Sequence, residues 1–286
     1  MLIDFSPTLM RAEQDAATGD VTLVLRQLRR LSIRDFADLM WQLPLAEYPQ
    51  LSRLLPRMAS DEIQRSWTGA SGGQMMLGSV DFIRIVQTHF ERLSRRPLQG
   101  TRIMDYGCGY GRLGRLMYWF TDPEYYCGVD PWDKSLEICR EYGMLGHLVQ
   151  SDYLPETLPV GGQLFDMILA YSVFTHTSLR ATTAALRALR DCIHSSGLLI
   201  ITIRPVDYWF AVGALSAEQQ QQQVTLHQRE GFAYRPGQFP IINGEAVFGE
   251  TSMSPEWIER NFPYWRVEAY DRGQDGWQKV LMLRPV

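Results

Sequence analysis

The sequence predicts an α/β protein whose core is a mostly parallel, doubly wound β-sheet with helices on both faces. From residue 101 onward, short apolar runs alternate with segments of helical periodicity, which is the pattern of consecutive βαβ units. The runs are apolar almost throughout, as expected for strands that helices cover on both sides. We expect strands at 102–106, 125–129, 147–150, 165–171 and 198–203, with helices near 111–120, 133–142 and 178–193.

The segment before this alternation has a different character. Residues 1–66 are predicted to form a helical extension, because prolines and polar residues repeatedly interrupt their apolar periodicity. Residues 67–286 are predicted to form the main domain, which begins with a glycine-rich loop at 67–73. Three glycines in five residues are incompatible with a stable helix interior there. A helix is expected to follow near 74–95.

The alternation of strands and helices stops after Arg204-Pro205. Residues 205–253 are therefore predicted to be an insertion after the fifth strand, rich in glutamine and aromatic residues. Two last strands are expected near 264–270 and 278–283. Because so short a connection joins them, they are expected to be antiparallel.

Composition excludes several classes of protein. The 286 residues are 45% hydrophobic and 21% charged, with a net charge of −4, so a nucleic-acid backbone is not expected to be the main partner. No apolar run approaches the roughly 20 residues of a membrane span, and the beginning of the sequence, Met1–Asp4, does not resemble a secretory signal. The four cysteines form no CxxC pair, which predicts neither a metal site nor disulfides. A cytoplasmic location is expected.

The most specific pattern is a glycine loop, residues 105–112, after the first predicted strand. It has the form D-x-G-x-G-x-G, with Asp105 before Gly107, Gly109 and Gly111. Glycines there permit a tight turn and the close approach of a ligand to the main chain. The next predicted strand ends at Asp130, a spacing that places a carboxylate within reach of the two hydroxyls of a ribose.

Two ligands are compatible with this loop. Residues 109–114 also fit G-x-G-x-x-G, the fingerprint of dinucleotide-binding proteins. A dinucleotide places its diphosphate at the helix N-terminus, where the carboxylate of Asp105 at the mouth of the loop is unfavourable. S-adenosylmethionine instead has an ammonium and a sulfonium group, which an acid favours. Charge therefore favours the methyl donor over a dinucleotide oxidoreductase.

Residues 103–112 resemble the first motif of class I S-adenosylmethionine-dependent methyltransferases, and residues 126–132 resemble the second. The resemblance extends over residues 67–204 and, in outline, the last two strands. It implies a seven-stranded sheet with an antiparallel last strand, S-adenosyl-L-methionine as co-substrate and S-adenosyl-L-homocysteine as product. The segment Gly69–Gly73 is similar to the one that covers the donor in that family.

The resemblance also implies which residues bind the donor. Asp105 and the backbone of the glycine loop would hold the methionine part, Asp130 the ribose, and Asp152 the adenine amino group, although Asp152 is also compatible with an ordinary surface loop. The full predicted set is Asp105, Tyr106, Gly107, Cys108, Gly109, Gly111, Arg112, Asp130, Pro131, Trp132, Ser151, Asp152, Tyr153, Tyr171 and Ser172.

The motifs that the sequence lacks narrow the range of possible methyl acceptors. The sequence has no Asn/Asp-Pro-Pro-Tyr/Phe after the fourth strand, no Pro-Cys nucleophile and no cluster of acidic metal ligands. The same position holds Val173-Phe174-Thr175-His176 instead. His176 is a candidate general base for a hydroxyl acceptor, because its ordinary pKa lies near 6.5. The alternative is that His176 orders its loop or touches the cofactor.

These observations predict methyl transfer to a small molecule, with the extension and the insertion forming a lid. The motif at 173–176 together with Gly273-Gln274-Asp275 is similar to methyltransferases that act on a hydroxyl of a sugar, a glycan or a secondary metabolite. A non-catalytic scaffold or sensor that binds S-adenosylmethionine or S-adenosylhomocysteine is the alternative. The oligomeric state stays open.

Overall fold

The structure is a computed structural model that describes residues 6–273 and 276–286. The chain divides into two compact units, the first made of Met1–Thr88 and Pro97–Gln150, the second of His89–Arg96 and Ser151–Val286. Met1–Asp4, which carry the expectation about a signal peptide, lie outside the described residues, as do Gln274 and Asp275 of the predicted 273–275 motif.

The first unit begins with five short helices, as the sequence predicts. Three of them begin at a polar residue whose side chain accepts a hydrogen bond from a backbone N–H in the first turn; these residues are Asp20, Ser32 and Ser60. A sixth, longer helix follows after the turn at Gly69. The helices are α1 Ser6–Ala16, α2 Val21–Leu28, α3 Ile33–Gln42, α4 Pro49–Leu54, α5 Asp61–Thr68 and α6 Gly72–Ser94.

The sheet part of the first unit contains three parallel strands. Its elements are β1 Ile103–Tyr106, α7 Gly114–Met117, β2 Tyr126–Asp130, α8 Asp133–Glu141 and β3 His147–Gln150. Asp105 of β1 lies opposite Gly128 of β2, which in turn lies opposite Leu148 of β3. The helix expected at 111–120 is reduced to four α-helical residues. Gly111 has a φ of 77°, which a right-handed helix does not allow, so the helix begins later.

The second unit contains the remaining strands and the insertion. Its elements are β4 Phe165–Ala170, α9 Leu179–Arg190, β5 Ile193–Ile203, α10 Ala217–Glu230, β6 Phe232–Pro236, β7 Ile241–Ile242, β8 Glu245–Ala246, β9 Gly249–Met253, α11 Pro255–Asn261, β10 Trp265–Asp271 and β11 Lys279–Pro285. β4 and β5 are parallel, and β11 is antiparallel to both β5 and β10. Within the insertion, β6 pairs with β9 and β7 with β8.

Seven strands form one mixed sheet, in the order β10-β11-β5-β4-β1-β2-β3. The predicted α/β class, the seven strands and the antiparallel last strand are therefore confirmed. β5 begins five residues before the predicted start, because Ile193 pairs with Phe165 even though the residues that follow Ile193 are polar and exposed. Among the described residues, no helix combines the length and the apolar character that crossing a membrane requires.

A buried arginine ties the N-terminal helices to the glycine loop within the first unit. Arg115, which is 0% exposed, donates from Nε and Nη2 to the Arg57 carbonyl oxygen (3.1 and 2.8 Å) and from Nη1 to the Tyr110 carbonyl oxygen (2.7 Å). Arg29, the residue directly after α2, also bonds the Tyr118 carbonyl oxygen and the Asp122 carboxylate. The separate extension at 1–66 stays a prediction.

Arg115→Ala is expected to destabilise the protein by about 3 kcal/mol, since it removes hydrogen bonds to a charged group and leaves a buried carbonyl oxygen without a donor. Urea denaturation measures this change, with the exposed Arg11→Ala as the control. An unchanged free energy of unfolding in Arg115→Ala would contradict the structural role of this contact.

Candidate functional site

The glycine loop leaves β1 in a conformation that its glycines permit. The backbone N–H groups of Gly107 and Cys108 both donate to the Val129 carbonyl oxygen, at 2.7 and 3.1 Å, and so hold the loop against β2. A Cβ at Gly111 would lie 2.8 Å from the Met144 Sδ, and the φ of 77° would strain any other residue. The loop therefore needs glycine at position 111.

Asp130 joins the glycine loop to the turn that follows β2. Its Oδ2 accepts from the Gly109 N–H and its Oδ1 from the Trp132 N–H, both at 2.9 Å. The side chain is 7% exposed, and burial raises its pKa, which these hydrogen bonds oppose. The Ser135 side chain also donates a hydrogen bond to this carboxylate, so about one of its roughly four acceptor sites stays open to a hydroxyl.

Asp105 lies beneath the loop rather than at its mouth, which corrects the position expected from the sequence. The side chain is 2% exposed, and its Oδ2 accepts a hydrogen bond from Tyr126 Oη at 3.2 Å. Burial raises the pKa of Asp105 to about 7. The Asp105 side chain is shielded from solvent because all four residues of β1 are buried.

The remaining predicted residues of the first unit differ in exposure. Trp132 is 42% exposed, whereas Tyr106 and Cys108 are buried. Trp132 stacks on Trp67, with ring centroids 4.9 Å apart and planes at 16°. Arg112 Nη1 donates to the Ser79 Oγ of α6 at 3.0 Å. Trp67, which the sequence places in a loop, is in fact the seventh residue of α5.

Five predicted residues of the second unit follow β3 and β4. Asp152 is exposed and Tyr153 is half-buried, while Ser151 Oγ is buried and has no hydrogen-bond partner among the described residues. Ser172 has a φ of 60°, a left-handed conformation that non-glycine residues adopt rarely and often at functional sites. Its N–H donates to Thr202 Oγ1 at 2.7 Å. Tyr171 precedes it and is half-buried.

Both ring nitrogens of His176 are engaged. The Gly249 carbonyl oxygen can only accept, so Nδ1 carries the hydrogen and donates to it at 2.7 Å. Nε2 then accepts from Arg204 Nη2 at 3.1 Å, and the ring stacks on Phe248 with centroids 4.8 Å apart. Burial lowers the pKa of His176, and the neighbouring positive charge of Arg204 lowers it further.

A charged cluster of Arg204, Glu250 and Tyr208 supports His176. Neither Arg204 nor Glu250 is among the residues that the sequence predicts for the site. Arg204 Nη1 bonds the Glu250 carboxylate and the Thr175 carbonyl oxygen. Tyr208 Oη donates to Glu250 Oε2 at 2.5 Å, and the Arg204 guanidinium lies 4.0 Å from the Tyr208 ring centroid. The cluster fixes the segment around His176 to β9 of the insertion. The one signal for this cluster in the sequence is the position of Arg204, directly after the strand predicted at 198–203.

No group of three or more histidine, cysteine, aspartate or glutamate residues within the described ranges could hold a metal ion. The four cysteines, all within the described ranges, are buried and form no disulfide bond.

Comparison with known proteins identifies the domain. The methyltransferase domain family matches residues 103–197. This part of the chain is a methyltransferase domain. The resemblance predicted from the two sequence motifs is thereby confirmed.

Relatives of the methyltransferase domain include two ubiquinone biosynthesis O-methyltransferases. The one from Azorhizobium caulinodans is 28% identical over 171 residues, which are 55% of this chain and 65% of the relative. The one from Sinorhizobium medicae is 35% identical over 98 residues, or 32% of this chain and 38% of the relative. The chain thus spans less than two thirds of the length of either relative.

The fold is also found in a solved structure. The glycopeptide N-methyltransferase MtfA, complexed with sinefungin, superposes with a TM-score of 0.50 at 10% sequence identity, covering 73% of this chain and 94% of that one. At this identity the similarity concerns the fold alone.

The stability of the protein is expected to fall as pH rises from about 4 to 7 because of Asp105. Folding raises the pKa of this carboxyl from 3.8 to about 7, so over that interval the folded state keeps a proton that the unfolded state releases. Asp105→Asn is expected to remove this pH dependence. At pH 8 its free energy of unfolding should exceed that of the wild type by on the order of 2–4 kcal/mol. Melting from pH 5 to 8 measures it, with the exposed Glu137→Gln as control. If the melting temperatures of the wild type and Asp105→Asn change in parallel with pH, the prediction is wrong.

His176→Ala is expected to cost about 1–3 kcal/mol of stability, because the Gly249 carbonyl oxygen and an Arg204 N–H lose their partner. Equilibrium denaturation checks this, with the exposed His194→Ala as the matched control. If the two histidine variants unfold alike, the ring does not order this segment.

Proposed function

We propose that the chain transfers the methyl group of S-adenosyl-L-methionine to a hydroxyl oxygen of a small-molecule acceptor. The observation that carries the proposal is the Asp130 carboxylate, held by the N–H groups of Gly109 and Trp132 at the end of β2. The acceptor site that it keeps beside these donors suits a hydroxyl of a ribose. The family match over residues 103–197 supports methyl transfer as the chemistry.

The charges of the first unit suit the methyl donor better than a dinucleotide. Asp130 lies at the end of β2 against Gly109, so a diphosphate at the loop would bring negative charge toward an acid. Asp105 is buried beneath the loop with its pKa raised to about 7, and the approach of the methionine ammonium would favour its ionised form. The glycine-loop residues and Asp130, Pro131 and Trp132 are proposed to bind the donor.

Residues of the second unit complete the proposed set. The Ser151 hydroxyl is buried without a partner among the described residues, and a ligand that supplies one would remove the cost of leaving it unsatisfied. Asp152 is proposed to accept from the adenine amino group, with Tyr153, Tyr171 and Ser172 as further donor contacts. The left-handed backbone of Ser172 supports a functional role for that residue.

Methyl transfer needs alignment more than acid–base chemistry from the protein. S-adenosylmethionine supplies an electrophilic methyl group on sulfur, and the chain must hold the acceptor oxygen in line with it. The Nε2 lone pair of His176 already accepts from Arg204, and its pKa is lowered. We therefore favour the alternative in which His176 orders its loop, over the general-base role in the predicted catalytic set.

The acceptor is proposed to carry a hydroxyl. The relatives from Azorhizobium caulinodans and Sinorhizobium medicae are named as O-methyltransferases, which supports oxygen as the methylated atom. A hydroxyl of a sugar, a glycan or a secondary metabolite remains the narrower hypothesis from the sequence. The insertion at 205–253 is proposed to act as the acceptor-side lid.

Asp130→Ala is expected to weaken S-adenosylhomocysteine binding ten- to a hundredfold, since a hydrogen bond to a charged group contributes about 1.5–3 kcal/mol. Isothermal calorimetry measures the dissociation constant, and the exposed Asp133→Asn serves as control. Equal affinity of Asp130→Ala and wild type would remove the ribose assignment. Tight binding without turnover of labelled donor on a metabolite panel would favour a scaffold or sensor.

A further inference from the structure

The candidate is a tryptophan that the N-terminal helices contribute to the first unit. Trp67 lies on α5, one turn after Ile63, and both side chains pack against a hydrophobic cluster formed by Met58, Ala59, Tyr110 and Ile138. Its indole meets the Tyr110 ring edge-on, with centroids 5.8 Å apart. This packing holds the ring in one place.

The same ring reaches the glycine loop and the turn after β2. Two of its carbon atoms lie 3.8 and 3.9 Å from the position that a Cβ on Gly109 would occupy, and its face stacks on Trp132. Gly109 and Trp132 are the residues whose backbone N–H groups hold the Asp130 carboxylate. Trp67 thus contacts both residues that hold the Asp130 carboxylate, the proposed ribose-binding group.

We infer that Trp67 is a donor-binding residue, whose indole together with that of Trp132 forms an aromatic wall beside Asp130. This inference rests on the proposed function and deepens it. A ribose hydroxyl that bonds the acceptor site left on Asp130 lies next to the Gly109 and Trp132 N–H groups, and so beside the indole pair. The nucleoside half of the donor therefore packs against the wall.

The wall explains the aromatic residue at the end of α5. Trp132 is 42% exposed, so the pair presents an open aromatic surface at the edge of the glycine loop. An aromatic ring beside a base gains from stacking and from displaced water. The N-terminal helices thereby supply part of the donor site and do not only support it.

Three variants separate donor contact from packing. Trp67→Leu keeps an apolar side chain in the cluster but loses the flat ring, whereas Trp67→Phe keeps a ring. Ile63→Ala weakens the same cluster from the same helix face without approaching Gly109. Calorimetry with S-adenosylhomocysteine and with adenosine gives the dissociation constants, and thermal melting shows how much each variant destabilises the fold.

Trp67→Leu is expected to weaken binding of both ligands by about five- to 150-fold, the range of base–aromatic stacking. Trp67→Phe and Ile63→Ala should stay within about threefold of wild type. S-adenosylhomocysteine should also quench wild-type tryptophan fluorescence, and Trp67→Phe should lose part of that quench.

Other results overturn the inference in distinguishable ways. If Trp67→Leu binds both ligands like the wild type, the ring does not contact the donor. If Ile63→Ala weakens binding as much as Trp67→Leu at a similar loss of melting temperature, the effect is one of packing. If Trp67→Leu weakens binding of S-adenosylhomocysteine but not of adenosine, the ring does not contact the nucleoside. Failure of the wild type to bind either ligand contradicts the proposed function itself, and the inference with it.

Discussion

The Asp130 carboxylate is the constraint on which the first unit's candidate site depends. One group accepts from the glycine loop after β1 and from the turn after β2, so two chain segments share a single anchor. A buried carboxylate is stable only when it is hydrogen-bonded, and backbone N–H groups supply such bonds without adding charge. The positions of Gly109, Trp132 and, through stacking, Trp67 follow from this anchor.

The N-terminal helices are connected to that anchor by buried contacts. Arg115 bonds a carbonyl oxygen in the glycine loop and another in the segment between α4 and α5. Because a buried guanidinium must have its N–H groups paired, the two segments hold each other in place. The N-terminal helices thus contact the glycine loop within the first unit.

Local patterns predicted most of the fold. Apolar runs gave four strands to within one residue of their observed bounds, and β3 at 147–150 agrees residue for residue, whereas β5 begins five residues before its predicted start. The glycine loop was visible because its backbone conformation restricts residue type. The length of α7 was wrong, since a helical pattern does not show where a left-handed glycine delays the helix.

Contacts between distant residues could not be predicted in this way. Arg204 and Glu250 are 46 positions apart, and nothing in either segment specifies the other. The burial of Asp105 depends on Tyr126 of the neighbouring strand, and the Trp67–Trp132 stack depends on how α5 packs. Such pairs are set by tertiary packing, which sequence periodicity does not contain.

Ligand-dependent melting of the wild-type chain tests the central claim most directly, that a glycine loop bordered by acids accepts an adenosyl amino acid and disfavours a diphosphate. S-adenosylhomocysteine at a hundred times its dissociation constant should raise the free energy of unfolding by about 2.7 kcal/mol, and NADH should leave it unchanged. Stabilisation by NADH with no response to S-adenosylhomocysteine would contradict the account.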